Sequence, residues 1–150
     1  MLEAGDGADR LYGGTNNDKL YGQNGNDRLY GGEGRDTLAG GAGKDRFIFD
    51  TALNKSTNVD TITDFRHGED KIQLKQSIFA KLKAGTLSAA NFRANTKGVA
   101  GDSNDYILYN TKTGALLYDA DGKGSGAAIQ FATLSNKPRN LTASDFIVAS

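Results

Sequence analysis

Aspartate stands at positions 9, 18, 27, 36 and 45, and a large apolar residue follows each two places later, at Leu11, Leu20, Leu29, Leu38 and Phe47. Carboxylates repeated at one pitch invite cation chemistry wherever a fold stacks them. Cut in nines from Ala4, the chain reads AGDGADRLY, GGTNNDKLY, GQNGNDRLY, GGEGRDTLA and GGAGKDRFI. The glycines at the head of each unit supply backbone conformations that other residues resist, so six positions read as a turn. The last three read as a very short strand with its middle residue inward. Turn and strand alternating at this pitch describe a parallel coil in which units two apart stack on the same wall, ~4.8 Å apart. Asp9, Asp27 and Asp45 then form one column, and Asp18 and Asp36 the other. Two carboxylates ~5 Å apart repel by roughly 3 kcal/mol at an effective dielectric of ~20, so the bare column opposes its own folding. A hard divalent cation between each pair reverses that sign. Calcium suits the position because it takes six to eight oxygens and Gly-rich turns expose carbonyls. The repeats offer none of the His or Cys that zinc prefers.

These units resemble the RTX (hemolysin-type) nonapeptide GGxGxDxUx, U being a large apolar residue, found in proteins exported by Gram-negative bacteria. The resemblance implies a calcium-filled parallel β-roll. Each ion would be bound by carbonyls at unit positions two and four and the Asp of one turn. Carbonyls at positions one and three and the Asp of the turn eighteen residues on would complete the shell. Three complete sites follow. The first takes Gly5, Gly7 and Asp9 with Gly22, Asn24 and Asp27; the second Gly14, Asn16 and Asp18 with Gly31, Glu33 and Asp36; the third Gln23, Gly25 and Asp27 with Gly40, Ala42 and Asp45. Asn16 and Gln23 depart from the pattern's glycines. Asn tolerates left-handed geometry well, whereas Gln23 is expected to loosen the third site.

Twelve of the chain's 20 glycines lie before residue 44, and there is 1 proline. Absence of cysteine excludes a disulfide framework and leaves metal as the staple. Eighteen basic against 18 acidic residues argue against an electrostatic nucleic-acid binder. No apolar run reaches membrane-spanning length, and no charged-then-apolar segment marks a cleaved signal peptide. Met1 runs almost directly into a repeat, the expectation being a C-terminal piece of a longer protein.

After Phe47 the nine-residue beat stops. The expected organisation is all-β: a parallel β-roll over residues 1–48 and an antiparallel capping region over 49–150. RFIFD, VDTITDF and EDKIQL read as strands with Phe65 and Ile72 inward. SIFAKLKAG reads as a short helix ended by Gly85, with Ile78, Phe79 and Leu82 on its buried face. NDYILYN and ALLYD around TKTG read as a hairpin, AIQFATL and DFIVAS as further strands. TLSAANF and NLTASDF share a pattern that reads as two similar turns seating Phe92 and Phe146.

DTITDFRHGEDKIQL from Asp60, LLYDADGKG from Leu116 and LTASDFIVAS from Leu141 resemble the C-terminal module of serralysin-type metalloproteases and other RTX proteins. That resemblance implies a cap on the roll and an uncleaved signal at the extreme C-terminus, read by a type I secretion apparatus. Asp145 followed by Phe146, Ile147 and Val148 fits the apolar tail, and strand packing accounts for the same residues. It also implies that Asp64 and Asp70 complete a further calcium site on an open half-turn, either Gly32, Gly34 and Asp36 or Gly41, Gly43 and Asp45. DADGKG imitates the start of an EF-hand loop with Asp119, Asp121 and Gly124, but Lys123 and Gln130 break the pattern, so it reads as a polar hairpin loop.

Enzyme chemistry finds little support. The one His, His67, reads as a loop surface residue, no zinc-protease HExxH occurs, and the Asp residues are committed to metal. The expected function is a secreted, calcium-binding module that folds after export and stabilises an exported partner domain. Outward positions Arg10, Arg28 and Arg46 beside Tyr12, Tyr30 and Ile48, with Lys19, Thr37, Tyr21 and Ala39 on the other wall, read first as a solvated face. The alternative is a stripe for an anionic polysaccharide or cell surface, Tyr stacking while Arg pairs carboxylates.

Overall fold

The computed structural model describes all of Met1–Ser150. Within the repeats, β1 (Leu2–Asp6), β3 (Lys19–Asn24) and β5 (Thr37–Ala39) form one wall, and β2 (Arg10–Thr15), β4 (Arg28–Glu33) and β6 (Arg46–Phe49) the other. Every pairing among them is parallel and in the eighteen-residue register: Leu2 with Leu20, Leu20 with Leu38, Leu11 with Leu29 and Leu29 with Phe47. The inward leucines Leu20, Leu29 and Leu38 are wholly enclosed. Burying each is worth ~1.5–3 kcal/mol, which is why the middle strand position of every unit is large and apolar.

The nine-residue beat ends at Ile48, where the division was expected, but the parallel pairing continues. β7 (Asp60–Ile62) stacks on β5 and β8 (Lys71–Lys75) on β6, placing Ile62 on Leu38 and Ile72 on Phe47. Longer excursions, rather than nine-residue turns, lead into these two strands. Beyond them lie β9 (Gly85–Thr86), β10 (Phe92–Asn95), β11 (Ile107–Asn110), β12 (Ala115–Tyr118), β13 (Ile129–Leu134) and β14 (Phe146–Ala149). They extend both walls, giving an eight-stranded sheet β1-β3-β5-β7-β13-β12-β11-β10 and a six-stranded sheet β2-β4-β6-β8-β14-β9. β11–β12, β12–β13 and β9–β14 are antiparallel, as expected of the second half, and the TKTG hairpin forms. β13 and β14 join β7 and β8 in parallel, and β10 joins β11 in parallel.

One inner ladder therefore runs Leu11, Leu29, Phe47, Ile72, Phe146 and the other Leu20, Leu38, Ile62, Leu134, within a single cluster of 24 buried residues. Phe65 and Ile72 are buried as expected.

SIFAKLKAG does not form a helix. It is a run of turns held by Ile78 and Phe79 donating to Lys75 O and Leu82 to Phe79 O, which seats Phe79 and Leu82 in the core with too few residues to propagate a helix. Gly85 opens β9 rather than capping a helix. TLSAANF and NLTASDF do form matching 3-10 turns, Ala89–Asn91 and Ala143–Asp145. They deliver Phe92 and Phe146, whose rings lie 5.4 Å apart.

Candidate metal centre

Each glycine position of the repeat has its own physical cause. Unit positions two and four are in the left-handed region: Gly5, Gly14, Gly32 and Gly41 at the second, Gly7, Gly25, Gly34 and Gly43 at the fourth. Asn16 and Gln23 adopt the same geometry at φ 79° and 75°, so both non-glycine residues keep the turn that presents their carbonyls. A β-carbon-bearing residue there costs ~1–2 kcal/mol, least for Asn, and Gln23 carries the larger strain. Unit position one is not left-handed; it is pressed against a carboxylate. A Cβ at Gly13 would lie 2.5 Å from Gly31 O and 3.1 Å from Asp18 Oδ2. At Gly22 it would overlap Asp27 Oδ2 and come within 2.6 Å of Gly40 O, and at Gly40 it would overlap Asp45 Oδ2. Carboxylate and carbonyl oxygens thus converge on a space kept open by the absence of a side chain.

The aspartates use their two oxygens differently. Oδ1 of Asp27, Asp36 and Asp45 accepts the backbone N–H of the Asp one coil earlier: Asp9 N to Asp27 (2.8 Å), Asp18 N to Asp36 (2.7 Å) and Asp27 N to Asp45 (2.9 Å). The other oxygen, Oδ2 of Asp9, Asp18, Asp27, Asp36 and Asp45, is buried with no hydrogen-bond partner. An unpaired buried carboxylate oxygen costs several kcal/mol unless a cation meets it. Around the first expected site, Gly5 pairs with Gln23 and Asp6 with Asn24; around the second, Gly14 pairs with Gly32 and Thr15 with Glu33. Around the third, Ala42 N donates to Gln23 O (2.7 Å) and Gly25 N to Ala42 O (2.8 Å), leaving each carbonyl a second lone pair.

The column does not stop with the repeats. Asp36 N donates to Asp60 Oδ1 (3.0 Å) and Asp45 N to Asp70 Oδ1 (3.0 Å), extending the columns to Asp18–Asp36–Asp60 and Asp9–Asp27–Asp45–Asp70. A Cβ at Gly31 would lie 2.5 Å from Asp36 Oδ2 and 2.8 Å from Asp60 Oδ2. Asp64 lies beside the column, its charge felt by Asp45 and Asp70, and accepts Gly40 N (3.0 Å) and Gly41 N (2.8 Å). Of the two half-turns open to Asp64 and Asp70, the structure brings Asp64 to Gly41 and Asp70 to Asp45. The other, Gly32, Gly34 and Asp36, faces Asp60, and its Gly32 carbonyl accepts the Thr51 hydroxyl (2.9 Å). Asp60 was not among the residues expected at a site, yet a signal was present. Asp60-Thr61-Ile62 and Asp70-Lys71-Ile72 repeat the Asp, any, apolar triplet, and spacings of 24 and 25 residues from Asp36 and Asp45 instead of eighteen hid it.

His67 is no free surface residue. Its Nδ1 lies 2.6 Å from Oδ2 of the fully buried Asp145, which also accepts the N–H of Thr142 (3.0 Å) and Gly68 (3.2 Å). This ties the loop between Asp64 and Asp70 to the entrance of β14.

Burial pushes the carboxyls of Asp27, Asp36 and Asp70 above the ordinary range, against hydrogen bonds from backbone N–H groups that favour the anion. Burial, reinforced by the charges of Asp70, Asp27 and Asp64, takes Asp45 to about 6. Burial and the charge of Asp36 take Asp60 to about 7. No three carboxylate, imidazole or thiol side chains converge on one point. A site built from two carboxylates and main-chain carbonyls fits calcium and disfavours zinc.

Fold and site together define a calcium-binding parallel β-roll module. Residues 3–38 and 21–51 match the RTX calcium-binding nonapeptide repeat, in four copies, a repeat that binds Ca2+. Among solved structures, the R2 subunit of the mannuronan C5-epimerase AlgE6 from Azotobacter vinelandii is similar, at 26% identity and TM-score 0.51 over 99% of this chain and 89% of that one. The R3 subunit of the same enzyme shares the fold at 24% identity and TM-score 0.50, over 95% of this chain and 78% of that one. No curated protein matches. No helix is long and apolar enough to cross a membrane.

Proposed function

We propose that the chain is a calcium-dependent folding module of a protein exported by type I secretion, unfolded where calcium is scarce and folded outside the cell. The observation that carries this is the row of buried, partnerless Oδ2 atoms on Asp9, Asp18, Asp27, Asp36 and Asp45. The ligand sets are those expected from the repeat: Gly5, Gly7, Asp9, Gly22, Asn24 and Asp27; Gly14, Asn16, Asp18, Gly31, Glu33 and Asp36; and Gln23, Gly25, Asp27, Gly40, Ala42 and Asp45. Two more half-turns close on Asp60 and on Asp64 with Asp70. Cation binding and roll formation then become one event, because the ligands come together only in the coil. The apolar tail Phe146, Ile147 and Val148 serves the export apparatus while the chain is unfolded and becomes β14 once it folds. Residues 1–48 and 49–150 act as roll and cap over one shared core.

The test is far-ultraviolet circular dichroism of the calcium-stripped protein at neutral pH, titrated with calcium and, separately, magnesium. A cooperative gain of β signal specific to calcium is expected. A chain equally folded without calcium would overturn the proposal.

A second reading rests on a different observation. Arg10, Arg28, Arg46 and Lys71 stand in register across the outer face of one wall. None lies within 4.0 Å of a carboxylate: Arg46 donates to the Gln73 amide oxygen (3.3 Å) and Lys71 Nζ to the Ser144 carbonyl (2.7 Å). Tyr12 and Tyr30 stack beside them with centroids 4.5 Å apart. Guanidinium groups at strand spacing suit the carboxylates of a polyuronate such as the mannuronan for which the epimerase is named. Arg28→Ala is expected to weaken binding to polymannuronate roughly tenfold with calcium stoichiometry unchanged. Indifference of the parent protein to anionic polymers would remove this reading.

A further inference from the structure

Six buried side-chain oxygens in the chain have no hydrogen-bond partner, and all are carboxylate oxygens. Five are the Oδ2 atoms of the repeat. The sixth is Oδ1 of Asp119, at the far end of the eight-stranded sheet where β12 leaves for β13. Asp119 is 7% exposed and lines a hollow with Val99, Leu108, Gly122, Lys123 and Gly124.

Further oxygens lie in the loop that follows it. Asp121 follows two residues later, and its Oδ2 accepts the N–H of Gly126 (2.7 Å), which folds the loop back over the pair. Gly122, at φ 59°, is pressed against the 102–103 turn: a Cβ there would overlap Ser103 O and lie 2.8 Å from Asp102 O, and Lys123 N donates to Asp102 O (3.0 Å). Main-chain carbonyls thus crowd the same loop as the two carboxylates. No Lys, Arg or His comes within 4.0 Å of either carboxylate, so the protein supplies no cation of its own. The two carboxyls feel each other: Asp119 is raised, chiefly by burial and then by Asp121, while Asp121 is lowered, chiefly by the Gly126 N–H.

We infer that Asp119 and Asp121 hold a hard divalent cation, calcium by its tolerance of carbonyl ligands, at a site separate from the roll. The ion joins the 119–126 loop to the 102–103 turn and so fastens the outer part of the long sheet, where no repeat reaches. The broken EF-hand pattern is no obstacle, because the second strand of chain at Asp102 and Ser103 brings oxygens that a single twelve-residue loop would otherwise supply.

The site is separable from the roll by experiment. Native mass spectrometry in calcium should count one ion fewer in Asp119→Asn and in Asp121→Asn than in the parent, with the roll's ions and its calcium-induced β signal retained. In the labelled parent protein already folded in calcium, trace manganese exchanging into the site should broaden the amide resonances of Gly122, Gly124 and Gly126, and that broadening should vanish in Asp121→Asn while roll amides are still broadened. An unchanged ion count in both variants would overturn the inference. So would loop amides that ignore manganese in the folded protein but shift with pH, which would mean that the two carboxyls share a proton instead. Neither result would touch the calcium-dependent folding of the roll, which stands or falls on the dichroism titration.

Discussion

Asp27→Asn is expected to remove two calcium ions where Asp9→Asn removes one. Asp27 lies in the middle of its column, serving the first proposed site through the turn below and the third through the turn above. Its Oδ1 accepts Asp9 N (2.8 Å), its own N–H reaches Asp45 Oδ1 (2.9 Å), and its Oδ2 is buried without a partner. Asparagine keeps an oxygen for the Asp9 N–H but turns an NH2 donor toward the place of the cation. With free calcium at ~100 times the dissociation constant, each site contributes ~2.7 kcal/mol, so Asp27→Asn costs about 5 kcal/mol and Asp9→Asn about half that. Five kcal/mol rivals the stability of a whole small domain, and the variant roll is expected to unfold in saturating calcium. Stoichiometry by native mass spectrometry and urea unfolding in calcium measure both quantities. Equal costs for the two variants would mean that Asp27 is not shared, and the proposed site geometry would fail.

Opposite pH dependences are expected with and without calcium. In the calcium-free chain, burial raises Asp45 to about 6 and Asp60 to about 7, from 3.8 in the unfolded chain. A carboxyl with a raised folded value binds its proton more tightly when folded, so its stabilising contribution is full below 3.8 and is lost as pH rises through the folded value. Both groups therefore favour the folded chain at pH 5 and contribute almost nothing at pH 8. Asp27, Asp36 and Asp70 are raised as well and act in the same direction. Asp105 acts oppositely. Although burial works against it, Arg93 Nε at 2.9 Å and the N–H groups of Gly101 and Asp102 hold it low, so it weakens the fold only in stronger acid. The stripped protein should therefore gain β structure on moving from pH 8 to pH 5. In saturating calcium the ion replaces the proton, the carboxylates are held ionised, and stability should fall over the same change. Dichroism-monitored thermal unfolding at pH 5, 6, 7 and 8 reads both profiles. Parallel profiles would show that protons and calcium do not compete at these aspartates.

Much of the roll was legible in the chain because its causes are local. A left-handed turn at unit positions two and four, a carboxylate beside a residue without Cβ, and an apolar side chain two places on all lie within nine residues. Their repetition shows the stacking register as well: Leu11 on Leu29 and Leu29 on Phe47 follow from the period alone. The TKTG hairpin and the two turns before Phe92 and Phe146 were legible for the same reason, each being a short pattern with a local hydrogen-bond solution.

What the tertiary structure decided lies where residues far apart in the chain share one environment. Asp60 and Asp70 continue the carboxylate columns only because the excursions before β7 and β8 return each strand to the same wall, and no period announces a return of 24 or 25 residues. The SIFAKLKAG segment has helical spacing but forms turns, since the core asks only for Phe79 and Leu82. His67 looked like a loop residue until Asp145, 78 positions on, was placed against it. Asp119 was visible in sequence as part of a broken loop motif. Its burial, its partnerless oxygen and the approach of Asp102 and Ser103 came from packing one hairpin against a distant turn, because desolvation is a property of the surrounding fold and not of the residue.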